Sequence, residues 1–403
     1  MTKLVTVRES YDWITENEVT QVQLEELIRY IEERYPNENV LDQRYKRVRF
    51  INFVGVIQCS DIRYEIVPKI NLSADDERKA LLSMLSVSNF IPITFYERVK
   101  NGQETADLLT AFLTAFLERL LKELKKGIYK TYERQEENLY VMKGKLELSN
   151  HIRQNAFNHT RAYCSFDELT ENNSMNQLFK AALQIVRSSS VLHTSKLQLE
   201  RCLGYLDQVD VVNFPPHKLN EVRLNRQNER FRDAVLFAKL IIEHASIYNK
   251  GQQSSSFSFL FPMNLLFEKY MEVALEAAAG ADAVISQHAK TRLLHNKKSG
   301  QENILLKPDF LVNNKVIIDT KWKSATYHGK SRYQQSDIYQ MYAYVTAYKE
   351  AIRCILLYPK QEGEAEHPVW EVVDTNKTIE MKAVRIDEFW NSVDDLKELL
   401  NDG

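Results

Sequence analysis

The chain has 403 residues, 44% of them hydrophobic and 27% charged, with a formal net charge of −2. That length allows two or three domains with cores of their own, and 11 Gly and 9 Pro argue against long disordered linkers. The near-neutral charge excludes nucleic-acid binding through bulk positive charge, so any such contact must come from local basic patches or from a partner. No apolar run approaches the roughly 18 residues of a membrane span. Leu108 to Leu117 comes nearest, bracketed by Asp107 and Glu118, and the first residues lack the apolar stretch of a signal peptide. Cys59, Cys164, Cys202 and Cys354 are scattered, with neither a disulfide framework nor a CxxC zinc pattern. They read as reduced, packed residues of a cytoplasmic protein.

In chain order, Lys3 to about Ile14 reads as a short strand and turn. Thr20 to Arg34 carries Val22, Leu24, Leu27, Ile28 and Ile31 at helical spacing, with Thr20 as N-cap. Arg47 to Gln58 and Ile62 to Ile70 are β-like runs that imply a small sheet. Leu109, Phe112, Leu113, Phe116, Leu117, Leu120, Leu121 and Leu124 form a core-helix stripe that ends at Lys125-Lys126-Gly127. Lys143-Gly144-Lys145 and the polar stretch to Asn158 read as a solvated loop whose cations could touch phosphate. Asn173 to Val186 and Phe231 to Tyr248 predict helices separated by Phe214-Pro215-Pro216, and Ser254-Ser255-Ser256 marks a boundary. Beyond it come a helix Asn264 to Ala279, a strand Ala283 to Ser286, a basic stretch His288 to Lys298 and a hairpin. A helix from about Ser336 to Lys349, strands Cys354 to Tyr358 and Val369 to Val373, and a helix from about Ile386 to Leu400 follow. This is an α/β order.

The hairpin carries the chemistry. Asp309 to Val312 and Val316 to Thr320 are β-forming runs around Asn313-Asn314-Lys315. Period-two alternation points Asp319 and Lys321 the same way. A two-residue loop would put Asp309 and Asp319 on different faces. A three-residue loop, with an Asn in the left-handed conformation, pairs Val312 with Val316 and sets the two acids opposite each other. Cross-strand Cβ atoms lie roughly 5 Å apart, so both carboxylates could share one hard cation. Without one they should repel. Oxygen ligands suit Mg²⁺, and the competing reading is an exposed hairpin whose charges face solvent.

This set resembles the PD-(D/E)xK nuclease core, with Pro308-Asp309 as one half and Asp319-Thr320-Lys321 as the other. The resemblance implies that Asp309 and Asp319 hold the metal and that Lys321 serves the attacking water. Nearby, Glu268, Glu272 and Glu276 share a helix face at i, i+4, i+8; a solvated face explains Glu272 and Glu276 as well as a third acid would. Asp337, Gln340 and Tyr344 share another face, where an amide and a phenol could bond phosphate or water, or where a capping Asp and a half-buried Tyr would look the same. Lys290, Arg292, Lys297 and Lys298 form the densest basic patch near the hairpin, suited to holding DNA backbone without sequence specificity or to a solvated loop.

Taken in order, several stretches resemble the McrC family, the nuclease subunit of McrBC-type, 5-methylcytosine-specific restriction systems. They are Val54 to Ile57 with Glu65 to Ile70; Lys143-Gly144-Lys145-Leu146; Phe166 to Leu169 with Asn176; Phe259-Leu260-Phe261 with Met263-Asn264 and Phe267-Glu268; Lys307-Pro308-Asp309; Asp319-Thr320-Lys321; and Tyr339-Gln340-Met341 with Tyr344. The resemblance implies an N-terminal α+β domain over 1–165 that engages and stimulates an AAA+ GTPase motor. A helical connecting region over 166–253 and a PD-(D/E)xK domain over 254–403, a central mixed sheet flanked by helices that cuts double-stranded DNA, would complete the chain. It makes Glu268 the upstream acid and a third metal ligand, with Gln340 in support, and Mn²⁺ a possible substitute for Mg²⁺. Two departures stand out: Pro262 occupies a position where the family commonly has an acid, and Lys143 one where it has an arginine. No GxxxxGK[ST] pattern occurs, so GTP is expected on the partner and not on this chain. Two rivals remain open, a stand-alone PD-(D/E)xK nuclease and a non-catalytic adaptor that activates a motor.

Overall fold

The computed structural model describes residues 3–59, 61–69, 74–92, 108–158, 160–188, 195–212, 214, 216–244, 257–327, 330–331, 333–361 and 367–401. The expected boundary Ser254-Ser255-Ser256, the breaker's Pro215, the run end Ile70 and the helix end at Tyr248 lie outside them. The chain forms two compact units, one of Met1–Leu108 with Tyr248–Gly403 and one of Leu109–Ile247. Roles were expected to divide at 165 and 253. The compact units divide otherwise because a strand from after the second unit completes a sheet begun before it.

That sheet lies in the first unit and has the order Lys3–Arg8, Ile62–Val67, Phe53–Cys59, Phe257–Pro262. Its first pair is parallel and the others antiparallel. Gly55 stands opposite Leu260 with φ +131°, and a Cβ there would come within 1.8 Å of the Phe259 carbonyl oxygen. Only glycine lets the two backbones approach so closely. The helix Gln21–Arg34 packs on this sheet, and its N-cap is Thr20, in a capping box with Gln23. Tyr30 ties it to the incoming strand by donating to Ser258 Oγ at 2.7 Å.

The same unit contains the expected central mixed sheet. Its order is Val284–Ser286, Phe310–Val312, Val316–Thr320, Arg353–Pro359, Thr378–Val384, Val369–Glu371. The middle three strands run parallel and the flanking pairs are antiparallel. Arg353–Pro359 is buried at every position, as a strand covered on both faces must be. The helix Gln335–Ala347 contributes Met341, Tyr344 and Val345 to a core with Leu311, Ile317, Cys354 and Leu356. The helix Met263–Ala279 packs on Val284–Ser286 and Val316–Thr320 and against the helix Phe389–Asn401, where Tyr270 meets Phe389 and Ser392. The strand Thr378–Val384 was not among the expected elements, although Ile379 to Ala383 alternates apolar and polar residues as a strand does.

The second unit combines helices with a small sheet. Helices Leu108–Leu124, Ser174–Ser188, Lys196–Tyr205 and Arg232–His244 are joined by a three-stranded sheet of Thr131–Leu139, Ala162–Thr170 and Lys145–Leu146. Thr131–Leu139 has no buried residue, so no apolar alternation announces it. The expected loop Lys143–Asn158 holds a strand and the helix Leu148–Asn155. Gly144 has φ +71°, and a Cβ there would meet the Ser165 carbonyl oxygen at 2.5 Å, which gives this glycine a structural reason. Lys143 lies over the Phe166 ring and pairs with Glu168. All four cysteines are buried, and among the described residues no helix is long and apolar enough to cross a membrane.

Candidate active site

The site starts from the hairpin loop. Val312 pairs with Val316, Leu311 with Ile317 and Phe310 with Ile318. Three residues close the turn, and both Asn313 and Asn314 are left-handed, with φ of 50° and 58°. One further step of this register sets Asp309 opposite Asp319. The Thr320 N–H and hydroxyl each donate to Asp309 Oδ2 at 2.7 Å, which fixes that carboxylate at the open end of the hairpin. Alternation places Asp309 with Leu311, and Asp319 with Ile317, on the face that the helix Gln335–Ala347 covers.

That helix closes the arrangement. Lys321 Nζ pairs with Asp319 Oδ2 and donates to Gln340 Oε1 at 3.2 Å. Gln340 Nε2 donates to Asp319 Oδ1 at 3.3 Å and to Tyr344 Oη at 2.8 Å. Tyr344 in turn donates to the Lys307 carbonyl at 3.1 Å. Burial pushes the Tyr344 phenol up to about 12, with the charges of Asp319 and Asp309 adding and the Gln340 bond opposing. It keeps its proton at neutral pH and remains a donor. Asp319 is 2% exposed, and burial, followed by the like charge of Asp309, pushes its pKa up to about 6 against the pull of Lys321.

Glu268 is brought near but not into the cluster. Burial raises its pKa, a hydrogen bond from Gln287 lowers it, and the Asp309 charge raises it again. Gln287 is a residue that sequence reasoning missed: its Nε2 donates to Glu268 Oε1 at 2.7 Å while its backbone N–H donates to the Asp309 carbonyl at 2.7 Å. Its left-handed φ of 47° carries no sequence signal, since Gln is not a residue favoured there. Among the described residues no three His, Cys, Asp or Glu side chains converge as a metal cage, so the expected three-acid ligand set is not assembled. The donor chemistry of the Asp309 and Asp319 pair nonetheless fits Mg²⁺, which accepts one or two carboxylates and fills its shell with water. A shared divalent cation would also relieve the repulsion that raises Asp319.

The remaining expected residues sort by environment. Glu272 pairs with Lys269 at 2.7 Å and Glu276 is exposed, the solvated-face reading for both. Asp337 is buried and holds Lys323, which also donates to Gln334 Oε1 at 3.0 Å. Lys323 was not singled out from sequence; it lies beyond the end of the strand Val316–Thr320, where alternation assigns no side. Lys290, Arg292, Lys297 and Lys298 are all exposed. Arg292–His295 forms a hairpin with Glu302–Leu305 in place of the irregular stretch expected, Arg292 pairs with Glu302, and Lys297 and Lys298 fall in its turn.

The family model described as McrBC 5-methylcytosine restriction system component matches residues 48–359, more than half of the chain and all the residues of the candidate site. The chain belongs to this McrBC family. Among curated proteins, the type IV methyl-directed restriction enzyme EcoKMcrBC of Escherichia coli (strain K12) is 20% identical over 261 residues, 60% of this chain and 74% of that protein. Among solved structures, a chain in the half-complex of the Thermococcus gammatolerans tetradecameric assembly of McrB AAA+ hexamers with bound McrC has a TM-score of 0.73 and 17% identity. The match covers 99% of this chain and 100% of that one. A chain of the Thermococcus gammatolerans McrBC complex has a TM-score of 0.55 and 19% identity, covering 68% of this chain and 87% of that one. At these identities the likeness shows a shared fold, and it extends over nearly the whole McrBC-family chain.

Proposed function

We propose that the chain is the DNA endonuclease subunit of a modification-dependent restriction complex, with a PD-(D/E)xK site that hydrolyses phosphodiesters with Mg²⁺. The observation that carries this reading is the hairpin register, which lines up Asp309 with Asp319 and closes Lys321 and Gln340 over them. Asp309 and Asp319 would hold the ion, with the Glu268 carboxylate close enough to sense the Asp309 charge. When bound, Mg²⁺ supplies Lewis acidity toward the phosphate and acidifies a bound water. Lys321 holds the attacking water and can pass a proton at Nζ, while Gln340 and Tyr344 keep that amine in place. The exposed basic hairpin with Lys290, Arg292, Lys297 and Lys298 tracks the DNA backbone.

The related assemblies contain McrB AAA+ hexamers with bound McrC, and by family membership this chain takes an AAA+ GTPase partner whose hydrolysis it stimulates. The segment 1–165, read as the motor-engaging part, exposes Tyr132, Tyr140, Val141, Met142, Ile152 and Phe157. GTP belongs to the partner.

The test is cleavage of methylated and unmethylated plasmid, with and without the motor subunit and GTP. Asp309→Ala and Lys321→Ala should each lower cleavage by about two to three orders of magnitude while motor binding persists. Cutting by either variant at the wild-type rate would overturn the assignment. Specific cutting by the isolated chain with Mg²⁺ alone would favour the stand-alone nuclease. GTPase stimulation with no cleavage in any arm would leave the adaptor.

A further inference from the structure

Trp322, the residue after Lys321, is 4% exposed, and its indole N–H donates to Glu9 Oε1 at 2.7 Å. Glu9 follows the first strand, Lys3–Arg8, and is fully buried. A carboxylate so placed is costly unless its oxygens are partnered, and both are. Oε1 also pairs with Lys69 Nζ at 3.4 Å, and Oε2 accepts from the Asn52 N–H at 3.0 Å and the Ser10 hydroxyl at 2.7 Å. Asn52, left-handed with φ 55°, passes the connection on. Its carbonyl accepts from the N–H of Met263 at 2.8 Å, the first residue of the helix that carries Glu268. Phe267, beside Glu268, lies against the Trp322 ring at 5.4 Å between centroids.

The strand that carries Asp319 ends at Thr320. Lys321 makes one more backbone bond across the sheet, from its N–H to the Leu357 carbonyl at 2.9 Å. Beyond that point the chain leaves the ladder, and the Trp322 side chain anchors it. A single acid from the start of the chain therefore reaches both sides of the candidate site, Lys321 through Trp322 and Glu268 through Asn52.

We propose that Glu9 is a positioning residue for the nuclease site, holding Trp322 so that Lys321 stays over Asp319. The inference rests on the nuclease reading above. It makes cleavage depend on a residue just after the first strand of the chain, which need not touch the reacting atoms.

The test uses the full-length chain assembled with its AAA+ partner, GTP, Mg²⁺ and methylated plasmid, and compares wild type, Asp309→Ala, Trp322→Phe, Glu9→Ala and Glu9→Gln. Trp322→Phe keeps an aromatic ring beside Phe267 while removing the N–H donor and part of the buried ring system, so its fold is checked by thermal melting alongside the rate. It should lower kcat by about 10- to 100-fold, the scale of a small misplacement, with KM for DNA and the stimulated GTPase rate unchanged. Glu9→Gln, whose amide oxygen can still accept the indole N–H, should retain more kcat than Glu9→Ala. The Glu9→Ala, Trp322→Phe double variant should be no slower than the slower single. A folded Trp322→Phe with wild-type kcat, beside an inactive Asp309→Ala, overturns the positioning role and leaves the site standing. A loss confined to KM also overturns it, and wild-type cleavage by Asp309→Ala removes the site and this role together.

Discussion

Two buried acids of the six-stranded sheet, Glu380 and Asp319, are each paired with a cation, and the two pairs are built in opposite ways. Arg353 gives Glu380 parallel hydrogen bonds of 2.7 and 2.9 Å and spends a further N–H on the Leu399 carbonyl at 3.1 Å. Burial pushes Glu380 up, but its bonds from Arg353 and Thr378 outweigh burial and leave its pKa below the usual carboxylate range. Asp319 also has a cation beside it in Lys321, yet burial and the neighbouring Asp309 win and raise it to about 6. Burial alone therefore does not set the direction in which an acid's pKa moves. The difference is the second acid that the hairpin register places next to Asp319 and that nothing places next to Glu380.

The largest effect on stability should come from breaking the satisfied pair. Glu380→Ala leaves a buried guanidinium without its carboxylate and should cost about 3–5 kcal/mol, measured by urea denaturation, with cleavage by the folded protein unchanged. Because the folded pKa of Glu380 is depressed, its contribution is complete above the unfolded value of about 4.3 and is lost as pH falls through the folded value. The variant should thus lose less stability than wild type on acidification below that pH. Equal acid sensitivity in the two proteins would mean that Arg353 does not hold Glu380 ionised.

Asp319→Asn tests the other pair and should act with the opposite sign. A raised acid destabilises the fold increasingly as pH rises from the unfolded value of about 3.9 to the folded value of about 6, and the penalty persists above it. Without added divalent cation, the variant should be more stable than wild type by about 1 kcal/mol or more at pH 7, with the gap closing near pH 4. Mg²⁺ should narrow the gap at pH 7 by stabilising wild type alone. A variant less stable than wild type at pH 7 would erase the contrast between the two pairs, even if it were inactive.

The sequence carried one of these pairs and not the other, for a physical reason. Asp309, Asp319 and Lys321 lie on a local hairpin, where Asn313 and Asn314 supply the left-handed turn and period-two alternation does the rest. Thr20 as a helix cap was equally local. Arg353 and Glu380 meet only because parallel strands distant in sequence are brought together by the fold. Glu9 and Trp322 are 313 residues apart, and Gln287 acts through a backbone conformation that its residue type does not announce. The pairing of Phe257–Pro262 with strands that precede residue 68 is long-range in the same way.

The smallest effect calibrates the others. Glu268 and Glu272 stand one turn apart on the same helix and could not be ranked from spacing alone, yet their surroundings differ. Glu268 has burial and the Asp309 charge acting to raise it. Burial also raises Glu272, but its bonds to Lys269 and Ser286 outweigh that and lower it, and its partner Lys269 is half exposed. An ion pair of that kind contributes about 0–1 kcal/mol, so Glu272→Gln should shift stability by no more than this and leave cleavage at the wild-type rate. Glu268→Gln, which keeps the side chain's length and removes its charge near Asp309, should slow cleavage with little change in thermal midpoint. If the two variants cut equally well, the helix contributes only a scaffold, and the acids that matter are the hairpin's alone.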